Sequence, residues 1–151
     1  MKILIIPILI AFLLSSCKQT EPISNGETDN QNTAYLTDEI INDFNDPFDD
    51  PFNIVEVSIF ENTMSLIVNY GGGCSTHEFQ LAGSTSVMKS FPPQRSIQLL
   101  HNGNNDLCKM LVTDTIFFNI ENLSNEKKPG SEIILNLKGW DNSISYTYVK
   151  P

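Results

Sequence analysis

Two short segments hold the residues best suited to chemistry. Cys74-x-x-His77 lies in Tyr70-Gly71-Gly72-Gly73-Cys74-Ser75-Thr76-His77-Glu78-Phe79, and His101-x6-Cys108 spans His101-Asn102-Gly103-Asn104-Asn105-Asp106-Leu107-Cys108. Two thiolates and two neutral imidazoles form a donor set that tetrahedral zinc accepts. The spacing after His101 is longer than in a usual zinc knuckle, and the same two cysteines can instead join as a disulfide. In that case His77 and His101 flank the bridge. They then either hydrogen-bond to the turn backbones or form a two-histidine site for copper or zinc. Asn102-x-Asn104-x-Asp106 alternates oxygen ligands as calcium loops do. It lacks the later glycine and the bidentate glutamate of an EF-hand, so an Asn/Gly-rich hairpin loop is the expectation.

Catalytic patterns are weaker. Ser75, His77 and Asp106 make a Ser/His/Asp set on paper, with no nucleophile elbow around Ser75. Cys74 beside His101 would serve as a thiol nucleophile only in the reduced state. The tri-glycine run has no basic residue after it and no helix behind it, which argues against a phosphate loop. Paired carboxylates occur only in the acidic stretch Asp38, Glu39, Asp43, Asp46, Asp49 and Asp50, where no rigid pocket would tune them. The expectation is therefore no catalytic residue and no enzyme. A non-enzymatic binding or interaction module comes first, and a metal-binding protein using His77 and His101 is the alternative.

The elements that must position these residues are strands. Period-two or apolar segments recur at Ile54–Ile59, Met64–Tyr70, Thr76–Leu81, Ser96–Leu100, Lys109–Val112, Thr115–Ile120, Glu132–Leu137 and Ser143–Val149. Turn formers bound them: Glu61-Asn62, Ala82-Gly83-Ser84, Pro92-Pro93, Asn102-Gly103 and Pro129-Gly130. Seven to nine short strands at this spacing predict an all-β domain over residues 53–151, an antiparallel β-sandwich with a small barrel as the alternative. Ahead of it, residues 17–52 read as a flexible linker, polar at first and then acidic. Within this linker Thr37 is placed to cap a brief helix over Asp38–Phe44, ended by the prolines of Asn45-Asp46-Pro47-Phe48 and Asp49-Asp50-Pro51-Phe52. Trp140, Tyr146 and Tyr148 are either core or a binding surface, with core the commoner role.

The first 16 residues set the compartment. Lys2, an apolar run from Ile3 to Leu14 and Leu14-Ser15-Ser16-Cys17 resemble the signal peptide of a bacterial lipoprotein. The apolar run has about a dozen residues where a membrane-spanning helix needs roughly 20. Cleavage before Cys17 leaves its thiol and new amino group to carry acyl chains. Two or three chains make the attachment effectively permanent. The expected address is the bacterial cell envelope, with the chain lipid-anchored to the outer membrane and the side it faces left open. Removing 16 residues from 151 leaves 135, enough for one domain with a modest core. The mature chain carries 8 basic and 18 acidic residues, a formal charge of −10, which argues against nucleic acid as a partner. The membrane, through the lipid, and a protein or small molecule remain.

An exported, oxidising compartment favours the disulfide over the zinc set. With Cys17 taken by lipid, Cys74 and Cys108 are left to pair, and closing a loop of about 35 residues contributes roughly 3–4 kcal/mol. No resident cofactor is expected beyond weak copper, zinc or calcium binding.

The run from about Val57 to Tyr148 resembles an uncharacterised group of secreted or lipid-anchored bacterial domains. Their pattern is an aromatic, Gly-Gly-Cys-x-x-His-x-Phe, a Pro-Pro or similar turn, and a His–Asn/Asp-rich–Cys segment. The matching residues are Tyr70, Gly72-Gly73-Cys74, His77, Phe79, Pro92-Pro93, His101, Asp106 and Cys108. The resemblance implies that the cysteines belong together in space and brings no activity. The leader and composition also resemble lipoproteins of the Bacteroidetes type.

Overall fold

The computed structural model describes residues 32–38 and 48–151, and its strands pair into two sheets. The strands are β1 (Asn32–Thr33), β2 (Tyr35–Thr37), β3 (Phe52–Phe60), β4 (Thr63–Gly72), β5 (Glu78–Ser84), β6 (Gln94–Asn102), β7 (Met110–Asn119), β8 (Glu132–Leu137) and β9 (Ile144–Thr147). The first sheet runs β1-β7-β4-β3 and the second β2-β5-β6-β8-β9. This is the expected all-β sandwich, and neither sheet closes into the alternative barrel. The sheets are mixed, not purely antiparallel, because β1–β7, β2–β5 and β6–β8 pair in parallel. Among the described residues no helix is long and apolar enough to cross a membrane.

Alternation in the sequence becomes the two faces of each strand. On β4, Met64, Leu66, Val68 and Tyr70 turn inward and are buried, while Ser65, Ile67 and Asn69 face outward. On β6 the inward row is Arg95, Ile97, Leu99 and His101, so two apolar residues stand between a buried arginine and a buried histidine. Leu81 of β5, Phe118 of β7 and Ile133, Leu135 and Leu137 of β8 complete the shared core. Tyr146 and Tyr148 are buried in it, and Trp140 packs against it, so the aromatic residues near the C-terminus serve the core. Arg95 is tolerated inside because its guanidinium donates to the carbonyls of Leu123 and Ser84.

Several boundaries differ from the sequence reading. Asn32–Thr37, inside the stretch read as linker, forms β1 and β2. The chain passes from one sheet to the other at the buried Ala34. These strands are held by backbone pairing, as in Ala34 N–H to Asn119 O at 2.9 Å, so their side chains carry no alternation to read. Thr37 ends β2 and does not open a helix there; the rest of that proposed helix, residues 39–44, lies outside the described residues. The segments read at Lys109–Val112 and Thr115–Ile120 merge into one strand, β7, which begins at Met110 and ends at Asn119. Its polar middle is satisfied across the pair, with Thr113 donating to Asn69 at 2.7 Å and Asp114 accepting from Tyr70 at 3.4 Å. Ala82-Gly83-Ser84 continues β5 where a turn was expected. A Cβ at Gly83 would stand 2.5 Å from Leu123, so the glycine serves close packing.

Asn62, in the turn between β3 and β4, ties that hairpin to the C-terminal strand. Its carbonyl oxygen accepts from Tyr146 Oη–H at 2.9 Å and Val149 N–H at 3.0 Å, and its amide donates to Val149 O at 2.6 Å. Edge strand β3 carries a bulge, with its register shifting between Ile54 and Glu56 around the exposed Val55. A bulge of this kind discourages edge-to-edge pairing.

Candidate functional site

Three backbone segments converge at one end of the sandwich: the loop after β4, the loop after β6, and residues 48–51 entering β3. Cys74 and Cys108 join the first two as a disulfide with a Cα–Cα distance of 5.9 Å, inside the usual range. Residues 48–51 dock on β6 through backbone pairing on both sides of Asp49, Asp50 N–H to His101 O at 3.0 Å and His101 N–H to Phe48 O at 3.3 Å.

Asp106 organises the end. One carboxylate oxygen accepts from the backbone N–H of Cys74 (2.8 Å) and Ser75 (2.9 Å), and the other from Cys108 N–H (2.8 Å). Three amide donors, led by that of Cys108 and followed by those of Cys74 and Ser75, hold this carboxyl well below the usual aspartate range, and the contact with His77 adds to them. Both half-cystines thus donate to one carboxylate, and the disulfide and the anion brace the same two loops.

His77 and His101 meet beside it. His77 Nε2 lies 3.3 Å from Asp106 Oδ2, His77 Nδ1 lies 2.8 Å from His101 Nε2, and His101 Nδ1 lies 3.2 Å from the carbonyl of Asp50. The side chains of His77 and Asp106 are 3% and 1% exposed, and His101 is 1% exposed. Burial pushes the His101 pKa down, against the smaller upward pull of the Asp50 carbonyl. Aromatic rings wall the pair: Phe79 stacks on His101 at 4.3 Å between centroids, Tyr70 lies 4.4 Å from His77, and Phe52 meets His101 edge-on at 5.8 Å. The tri-glycine run now has its reason. A Cβ on Gly72 would collide with the His77 ring, and Gly73 takes φ +104° as the chain turns toward Cys74.

The structure brings Cys74, His77, His101, Asp106 and Cys108 together and changes their roles. The Cys2His2 zinc set is lost because both sulfurs are oxidised. Cys74, Asp106 and Cys108 lie close enough to share an ion, but their two sulfurs are already bonded to each other. As a two-histidine metal site the pair has no open donor: all four ring nitrogens point at each other or at oxygens of the protein. The paper triad makes its His77–Asp106 contact, yet the other nitrogen of His77 faces His101, while Ser75 meets Asp106 through its backbone N–H. The calcium-like loop is also spent internally. Asn102 Oδ1 accepts from Asn104 N–H, Asn104 donates to Thr76 O, and Asn104 and Asn105 take the left-handed conformation that asparagine tolerates. Cys17 lies outside the described residues.

Sequence reasoning assigned Asp50 to a solvated acidic linker. Its backbone carbonyl faces His101, and its carboxylate accepts from Gly103 N–H at 2.7 Å. The tandem Asp-Pro-Phe echo was the available signal, since the second copy delivers both Asp50 and Phe52 to this cluster. Elsewhere, a hollow of about 420 Å³ on the second sheet is lined by Ala82, Leu100, Ser96, Gln98 and Asn136 among others. No histidine, cysteine or carboxylate is among its described lining residues.

No protein-family model matches the chain, and no curated protein matches it. Solved structures do. A NigD-like immunity protein from Bacteroides caccae superposes with a TM-score of 0.56 at 16% identity, covering 76% of this chain and 58% of its own. A toxin-related protein from Parabacteroides distasonis (TM-score 0.47, 16% identity, 76% and 59% coverage) is also similar. So is a protein of unknown function from Bacteroides vulgatus (TM-score 0.48, 12% identity, 80% and 57% coverage). The chain therefore spans less than two thirds of the length of each. The likeness to the B. caccae protein shows a shared fold.

Proposed function

We propose that the protein is a lipid-anchored domain of the bacterial envelope that acts by binding a partner and catalyses no reaction. One observation carries this reading. The residues with most chemical capacity, His77, His101, Asp106 and the two cysteines, use that capacity on each other and on the backbone. A general base needs a free lone pair aimed at a substrate, and a metal site needs converging ones. This cluster offers neither, and its chemistry fits a brace that holds two loops in fixed positions. Next to Cys108 in the chain, Leu107 on the loop after β6 and Met110 and Leu111 at the start of β7 stand exposed. Apolar side chains held out on a rigid, cross-linked frame suit recognition, where pre-ordering lowers the entropy lost on binding. A protein is the partner class suggested by the likeness to a structure described as an immunity protein.

The test is photo-crosslinking in intact cells from probes placed at Leu107 and Leu111 of the full-length protein. A discrete adduct with one envelope protein, weakened when the neighbouring exposed leucine is replaced by aspartate, is the expected outcome. Diffuse labelling unaffected by that replacement counts against the reading. Anchoring is tested separately with an alkyne-tagged palmitate. Wild type takes the label and pellets with membranes, and Cys17→Ala does neither.

A further inference from the structure

The line of groups Asp106–His77–His101–Asp50 has an oxygen acceptor at each end and four ring nitrogens between, giving three contacts in all. Each contact needs one hydrogen. The two end contacts take theirs from His77 Nε2 and from His101 Nδ1, because carbonyl and carboxylate oxygens only accept. The central contact needs a third, on His77 Nδ1 or His101 Nε2. Two neutral imidazoles carry two hydrogens, one short of the number the line requires.

The missing hydrogen cannot come from Asp106. A protonated Asp106 would donate to His77 Nε2 and complete the line with neutral rings. Its carboxylate, however, already receives three backbone N–H bonds shared over both oxygens, which is the environment of an ionised group. Asp50 enters through its backbone carbonyl, which has no proton to give.

We infer that the buried His77–His101 pair is a proton-binding site that holds one proton more than two neutral histidines, shared as a single imidazolium against the Asp106 carboxylate. His77 carries both hydrogens, donating to Asp106 and to His101 Nε2. His101 stays neutral with its hydrogen on Nδ1, aimed at Asp50 O. Its deeper setting between the Phe79 and Phe52 rings, which disfavours charge, agrees with that division. The groups facing the pair are Asp106 from the loop after β6, Asp50 from the segment before β3, and Tyr70 of β4, whose hydroxyl turns away to Asp114 of β7. Phe52 of β3 and Phe79 of β5 carry no charge. Loss of the proton leaves His77 Nδ1 and His101 Nε2 bare and facing each other, or, after a tautomer shift, sets a bare nitrogen against an oxygen at one end of the line. Either way it loosens the tie between the disulfide loops and residues 48–51. The cluster is then a pH-responsive clamp, and this holds whatever the domain binds.

The sign follows from linkage. In the unfolded chain the two histidines, each half-protonated near pH 6.5, together hold one proton there, as many as the folded pair. They lose it over the next unit, so from about pH 7.5 the folded state binds about one proton more. The unfolding constant should rise about tenfold per pH unit from there until the folded pair titrates. The decisive measurement is nitrogen-15 NMR of the histidine rings in the full mature chain carrying Cys17→Ser, through pH 7 and upward. The expected spectrum at pH 7 shows three protonated nitrogens and one bare one, His101 Nε2, changing to two and two in one transition seen by both rings. Two bare nitrogens at pH 7, or independent titration of the rings, overturns the proposal. His77→Gln should abolish the tenfold-per-unit slope; a slope unchanged in that variant also overturns it, and the wild-type spectrum decides should the variant not fold.

Discussion

Replacing Cys74 and Cys108 together with alanine isolates the cross-link from the rest of the brace. The two residues are 34 apart in sequence, and forbidding that loop its open conformations costs the denatured chain about 12–13 cal/mol/K. At room temperature this amounts to about 4 kcal/mol of stability lost on removal. Alanine keeps the backbone N–H groups at 74 and 108, so both bonds to Asp106 and the Asp106–His77–His101 line should survive. The fold should therefore persist with a smaller margin, since domains of this size stand only about 5–15 kcal/mol above unfolding. Urea unfolding followed by Trp140 fluorescence reads the difference. The double variant and the wild type under reductant should agree with each other, both about 4 kcal/mol below the oxidised protein, with a steeper denaturant dependence from the more open denatured state. A loss under about 1 kcal/mol would refute the entropic argument. Recovery of the reduced wild type on adding zinc would refute the assignment of these cysteines to a disulfide role alone.

Three further outcomes follow from named contacts. Asn62→Ala leaves the buried Tyr146 hydroxyl without an acceptor and cuts two bonds to Val149; it should cost about 2–3 kcal/mol, lowering Tm by about 10 °C, and a shift under 3 °C by calorimetry would contradict this. Asp106 is held ionised by amide donors, so its contribution is complete above the ordinary aspartate pKa of about 3.9 and is lost as pH falls below it. The stability gap between wild type and Asp106→Asn should accordingly be widest near neutrality and close in acid, whereas parallel curves from pH 2 to 7 would sink the reasoning. Titration of the oxidised protein with copper, zinc or calcium should give no binding heat, and chelator should leave Tm unchanged; saturable heat lost in His77→Ala and His101→Ala would restore the metal reading.

What the sequence could and could not reveal divides along physical lines. Alternating strands such as Met64–Tyr70 and Glu132–Leu137 were legible because burial on one face writes a period of two. β1 and β2 were not, because Asn32–Thr37 joins the sheets through main-chain bonds that place few demands on side chains. The pairing of Cys74 with Cys108 was the expectation once Cys17 was set aside for lipid, and His77 and His101 were placed together only as residues flanking that bridge or as a metal pair. The direction of each ring nitrogen was not legible, since a tautomer depends on which groups the fold sets within hydrogen-bonding distance. Asp50 looked like one more charge in an acidic run. Its role arises from the docking of residues 48–51 against the end of β6, a contact 51 residues away in sequence. The polar residues of the cluster are of the types that metal sites and catalysts use, and a buried, mutually bonded brace draws on the same side chains.

The central claim is a Cys17-anchored envelope domain whose remaining cysteines are bonded to each other and whose histidines hold no metal. The intact mass of the mature protein purified from native membranes, taken under non-denaturing and then denaturing conditions, tests all three parts at once. The account expects a chain beginning at Cys17, heavier by its acyl groups, lighter by the two hydrogens of one disulfide, and unchanged in mass by treatment with chelator. An unlipidated chain, two free thiols, or mass lost with chelator would contradict it.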